Sequence, residues 1–156
     1  MKRIPVILLV LLLVSFVSSA QFFSLNISYN SAEKSKDSHS TTETISISGT
    51  SVAYSVKYTG RRGGNMNDEA KACVFTSVQI SKIKETLADR ELNVNDSLIN
   101  ISTGMNSVAI SISTTSGRKE TKIKIKGDPG ELNEQPLYKN SMYLILSVKK
   151  MLEECK

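Results

Sequence analysis

Apolar residues recur at every second position in five separate runs, and this alternation constrains the fold more than any other feature. Phe23, Leu25, Ile27 and Tyr29 alternate with Ser24, Asn26 and Ser28. The rhythm returns in Ile45 and Ile47, in Val52, Tyr54, Val56 and Tyr58, in Val108, Ile110 and Ile112, and in Ile123 and Ile125. Successive side chains of a strand point to opposite faces, so this pattern predicts strands with one buried and one wet face. Gly49-Thr50 and Ser116-Gly117 each fall between two such runs, which predicts hairpins and therefore an antiparallel sheet. The wet face reads as Ser24, Asn26, Ser28, Ser46, Ser48, Ala53, Ser55, Lys57, Ala109, Ser111, Ser113, Lys122, Lys124 and Lys126.

Helical spacing interrupts the alternation twice. Thr76 and Gln79 fit a capping box, in which each side chain satisfies a backbone N–H at a helix start, and Phe75 with Ile80 fits the accompanying hydrophobic staple. Ile80, Ile83 and Leu87 then share one helical face, and the helix should fade near Arg90. A second helix is expected from Pro136, since proline suits the first helical position. Leu137, Leu144, Val148, Met151, Leu152 and Cys155 fall on one broad face of it. Lys71–Phe75 reads as a short strand, Ala32–Thr42 as a polar loop and Asn93–Met105 as irregular chain. Gly60 to Asn67 and Asp128-Pro129-Gly130 read as breaks. The order β-β-β-(β)-α-β-β-α predicts an α+β two-layer sandwich, with an antiparallel sheet of five to six strands and two amphipathic helices on one face.

The start of the chain belongs to none of this. Lys2 and Arg3 precede the apolar run Ile4–Val17, and Ser18-Ser19-Ala20 offers small residues for cleavage, so Met1–Ala20 reads as a signal peptide. The run is shorter than the ~20 apolar residues that span a bilayer, and no second one follows. Residues 21–156 then form one domain, extracytoplasmic (secreted or periplasmic), with no membrane span after cleavage. Losing Lys2 and Arg3 lowers the formal net charge from +5 to +3. No dense basic stripe of the kind that marks a nucleic-acid binder is present.

The opening Phe23–Tyr29 (Phe-Ser-Leu-x-Ile-Ser-Tyr), the hairpin end Tyr58-Thr59-Gly60 and the amphipathic segment Leu137–Leu152 together resemble small secreted bacterial proteins of unknown function. The resemblance spans most of the exported chain. It implies the layout of elements and carries no site residues across.

Export gives the two cysteines their meaning. Cys73 and Cys155 are an even pair in an oxidising compartment, which favours a disulfide. Zinc is not expected, because two Cys and one His fall short of four ligands, and no other cofactor is indicated. His39 lies in Ser38-His39-Ser40, where a solvated loop histidine is the expected reading, because a catalytic base has to be held rigidly. Arg61-Arg62-Gly63-Gly64 offers guanidinium and backbone N–H groups to an anion but lacks the spacing of a phosphate loop. Asp89-x-Glu91-x-Asn93-x-Asn95 alternates oxygen ligands without the turn glycine or closing glutamate of a calcium loop. Lys122, Lys124 and Lys126 project from one strand face. Such a column guards a sheet against aggregation and also suits an acidic partner. Asn26, Asn95 and Asn100 head Asn-x-Ser sequons.

No catalytic constellation emerges. The sequence therefore points to a non-enzymatic binding or interaction domain, for a protein or glycan partner, acting through its open sheet face or loops. Lys122, Lys124, Lys126, Arg61 and Arg62 are the candidate interaction residues. A hydrolase built on Asp68, Glu69 and Asp96 and a structural envelope protein are the alternatives.

Overall fold

The computed structural model describes residues 22–33, 39–60, 68–102 and 104–155. The expected signal peptide and the arginine-glycine stretch after Gly60 lie outside these residues. Seven strands occur in chain order: β1 (Phe23–Glu33), β2 (His39–Ser48), β3 (Ser51–Gly60), β4 (Glu69–Val74), β5 (Ser97–Asn100), β6 (Asn106–Ser116) and β7 (Lys119–Gly127). Helix α1 (Ser77–Asp89) separates β4 from β5, and a short α2 (Pro129–Leu132) precedes α3 (Pro136–Glu153). The strands form one sheet in the order β4-β3-β2-β1-β6-β7-β5. Every pairing is antiparallel except β5 with β7.

The hairpins form where the turn chemistry asks for them. Gly49 and Gly117 each open a two-residue loop at φ 60° and 62°, the first central position at which a type II′ turn requires glycine. Register then sets the faces. Leu25 lies opposite Ile47 and Thr114, and Ile27 opposite Ile45 and Ile112. These inward residues join Phe75, Ile80, Ile83 and Leu87 from α1 and its entry, and Leu144, Ile145 and Val148 from α3, in one buried cluster. Fully burying a side chain of this size contributes ~1.5–3 kcal/mol, so the shared inward face is the main source of stability.

The capping box at Thr76 is present as expected: Gln79 N–H donates to Thr76 Oγ1 (3.2 Å), and Thr76 N–H to Gln79 Oε1 (2.9 Å). The helix closes on a Schellman arrangement that the sequence does not advertise. Leu92 N–H returns to Leu87 O (2.8 Å) and Glu91 N–H to Ala88 O (3.0 Å), with Glu91 at φ 55°. Glycine usually holds this left-handed position, so Glu91 is tolerated because the buried Leu87 and Leu92 hold the turn.

Four expectations are corrected. The sheet has seven strands rather than five to six, and a third, short helix follows β7. Ala32–Thr42 is not simply a loop: Ala32 pairs with Ser40 and Glu33 with His39. Its polar composition hid the strands, because a ladder held by β6 on the other side of β1 needs no apolar contribution there. Asn93–Met105 contains β5, whose four residues are too few to show a period. The break at Asp128-Pro129-Gly130 is the start of α2, where Asp128 Oδ1 accepts from Gly130 N–H (2.8 Å).

Candidate functional site

The same register that buries one face leaves the other bare. On it lie Ser24, Asn26 and Ser28 of β1, Thr42, Thr44 and Ser46 of β2, Ala53 and Ser55 of β3, Ser111 and Ser113 of β6, and Lys122, Lys124 and Lys126 of β7. Beside the lysines, β5 adds Leu98 opposite Lys124 and Asn100 opposite Lys126. Among the described strand residues of this face, Glu120 is the one carboxylate, against four lysines counting Lys57.

The face divides into two halves. Across β1 and β2 two pairs of polar side chains bond each other: Ser46 Oγ donates to Asn26 Oδ1 (2.8 Å), and Asn30 Nδ2 to Thr42 Oγ1 (2.7 Å). Toward β5, the sheet holds an open groove of about 320 Å³. Ser28, Ala109 and Ser111 form its floor, and Leu98, Asn100, Lys124 and Lys126 stand along its side. Lys122 reaches Glu120 at 3.0 Å, with both side chains more than half exposed. Exposed ion pairs of this kind contribute little. Lys124 and Lys126 have no ion pair among the described residues, so their charges face solvent.

The other candidate residues fall elsewhere. Cys73 on β4 and Cys155, just beyond α3, are joined by a disulfide across 82 residues. Such a bond belongs to an oxidising compartment. No helix among the described residues is long and apolar enough to cross a membrane. His39 opens β2 rather than sitting in a loop, with Nε2 3.4 Å from Glu33 Oε2. Arg61 and Arg62 lie outside the described residues. Asp68 accepts from Tyr58 N–H (3.1 Å) and Asp96 from Lys122 N–H (2.7 Å). Asp68 and Glu69 belong to the β4 edge and Asp96 to the β5 edge. Six inter-strand steps of ~4.8 Å hold those edges roughly 29 Å apart, so the three carboxylates form no common site. Among the described residues no three metal-ligating side chains gather. In the Asp89–Asn95 run, Asn93 uses its carbonyl to accept from Thr121 Oγ1 (3.3 Å).

One polar cluster escaped the sequence reading. Glu43 sits on the inward side of β2, and its Oε2 takes a 2.7 Å ion pair from Lys149 of α3 and a 3.2 Å hydrogen bond from Tyr54 OH. Burial, and then the Glu43 charge, push the Tyr54 phenol up to about 12. Burial and Glu43 raise Tyr29 as well, while burial and Tyr29 raise Tyr138. Lys71 Nζ donates to the Leu152 carbonyl at 2.6 Å, placing a cation at the C-terminal end of α3, where the helix dipole favours it. A small hollow of about 170 Å³ adjoins Tyr54, Lys71 and Lys149. These groups are engaged with one another and with backbone, and what they do is fasten α3 to the sheet. Period-two spacing places Glu43 in line with Ile45 and Ile47, the one signal that could have found it.

No family model matches the chain, and no curated protein matches it.

Proposed function

We propose that this is an extracytoplasmic, non-enzymatic binding domain, exported by its Met1–Ala20 leader, that engages its partner through the open face of the sheet. The observation that carries the reading is the asymmetry of that face. Two hydrogen bonds tie side chains of its β1–β2 half together, while its β7–β5 side holds a groove beside two ammonium groups that make no ion pair among the described residues. Sheets are routinely wet on one side. A groove flanked by two lysines that make no ion pair among the described residues is a more specific feature. The carboxylates from which a hydrolase would be built lie on opposite edges.

The test is retention of envelope and medium components on the immobilised, disulfide-bonded protein. Ser111→Trp, which fills the groove floor, is compared with Ser81→Trp, which places the same bulk on exposed α1. Material held by the wild type and by S81W should be lost with S111W, thermal melts showing all three folded. Equal retention by S111W, or equal loss with S81W, overturns the open-face reading.

A further inference from the structure

We infer that the groove takes an anionic glycan bearing carboxylates, a uronate-type chain laid along β7 against the ammonium groups of Lys124 and Lys126. This rests on the open-face reading above and adds the chemistry of the ligand.

Charge carries the inference furthest. Lys124 and Lys126 stand on the same face two residues apart, so their Cα atoms are roughly 6.7 Å from each other. Lys122, the next in the column, is engaged by Glu120. Asp96 accepts from the Lys122 backbone and Asp128 follows Lys126 by two residues, yet neither pairs with Lys124 or Lys126. Those two ammonium groups stand adjacent without an ion pair among the described residues, and a ligand with one negative charge per sugar relieves their repulsion.

The rest of the groove suits a sugar chain. Ala109, Ser28 and Ser111 are short, so a chain resting on them lies within reach of the longer lysines. Exposed Ser111 and Asn100 make no side-chain hydrogen bond among the described residues, leaving donors and acceptors for hydroxyl groups. Leu98, 75% exposed, gives an apolar wall for the C–H face of a ring.

Other ligands fit less well. The described strand residues of this face include no aromatic side chain on which a neutral sugar would stack. They also lack the Trp, Tyr and Arg anchors that dominate protein–protein interfaces. Densely sulfated or phosphorylated chains are best held by the guanidinium fork, and here the cations are lysine point charges.

The experiment measures binding of the disulfide-bonded protein to immobilised polygalacturonate by biolayer interferometry. Its fully methyl-esterified form, heparin and polyglutamate are the comparisons. Polygalacturonate should bind and its methyl ester should not. Binding should collapse near 1 M ionic strength, where the screening length is ~3 Å. Lys124→Gln with Lys126→Gln should weaken it about ten-fold, and S111W should weaken it further. Lys82→Gln with Lys150→Gln, on the helical layer, should leave it unchanged.

Equal binding of the methyl ester, a preference for heparin, equal binding of polyglutamate, or equal damage from the helical-layer pair each overturns the inference. If polygalacturonate fails to bind while S111W still abolishes retention of envelope material, the ligand class is wrong and the open-face reading stands. If S111W changes neither, both fall.

Discussion

Ser111 and Ile112 are neighbours on one strand, yet one faces solvent and the other is 1% exposed in the core. The two faces of this sheet share every backbone hydrogen bond and differ only in what their side chains meet. Inward, Leu25, Ile27, Ile110, Ile112, Ile123 and Ile125 pack against α1 and α3. Outward, hydroxyls, amides and lysines meet water. Alternation thus lets a strand carry stability on one side while its other side is released for contact, because a change at one position leaves the next position's surroundings intact.

The strongest way to break that comparison is to free the helical layer from the sheet. Replacing Cys73 and Cys155 by Ala should lower stability by as much as about 4.5 kcal/mol in the chain-entropy account of an 82-residue loop, read by urea denaturation under non-reducing conditions. A loss under about 1 kcal/mol would mean that Lys71 and the packed helix hold α3 in place without the bond.

Truncating the inward face should cost nearly as much. Ile112→Ala should destabilise by about 3 kcal/mol, since it removes buried methyl groups from a site flanked by Ile27 and Ile123. A small effect would show that the core there collapses onto the cavity.

The Glu43–Lys149 pair tests the boundary between the faces. The Glu43 side chain is 17% exposed and Lys149 35%, so Glu43→Gln should cost about 1–2 kcal/mol, between an exposed and a fully buried pair. It should also bring the Tyr54 phenolate absorbance midpoint down from about 12 toward the ordinary 10.0, because the carboxylate is the next cause of that shift after burial. Unfolded chains lose the phenol proton first as pH rises. The stability contributed by neutral Tyr54 is therefore whole below pH 10.0 and lost as pH climbs from there through about 12. An unmoved midpoint in E43Q would assign the whole shift to burial.

The smallest effect belongs to the outward face. Ser111→Ala should change stability by less than about 0.5 kcal/mol, as exposed substitutions usually do. A large loss would mean that the hydroxyl face is structural and not free for a ligand.

Legibility followed the same division. The alternating runs, the Thr76–Gln79 cap and Pro136 announced most strands and both long helices, since period and turn chemistry are local. Strand β5 and the distal ends of β1 and β2 were hidden, because their pairing comes from neighbours and not from their own apolar content. The lysine column was readable as a period-two run. Its setting was not, because Leu98 and Asn100 reach it through the parallel pairing of β5 with β7. Tyr138 and Ile145 of α3 are buried as well, although only part of that helix's apolar face stood out in the sequence.

By itself, then, the sequence determined an α+β chain with a half-wet sheet, and its two cysteines pointed to the bond that the structure contains. These follow from the direction of each side chain and from composition. Tertiary structure alone decided that the chain after β4 crosses beneath the sheet to its far edge, separating Asp96 from Asp68 and Glu69. It also decided that Glu43 meets Lys149 across 106 residues, and that a groove opens beside Lys124 and Lys126. Each depends on which strands become neighbours, and long-range pairing leaves no mark on the spacing within a single run.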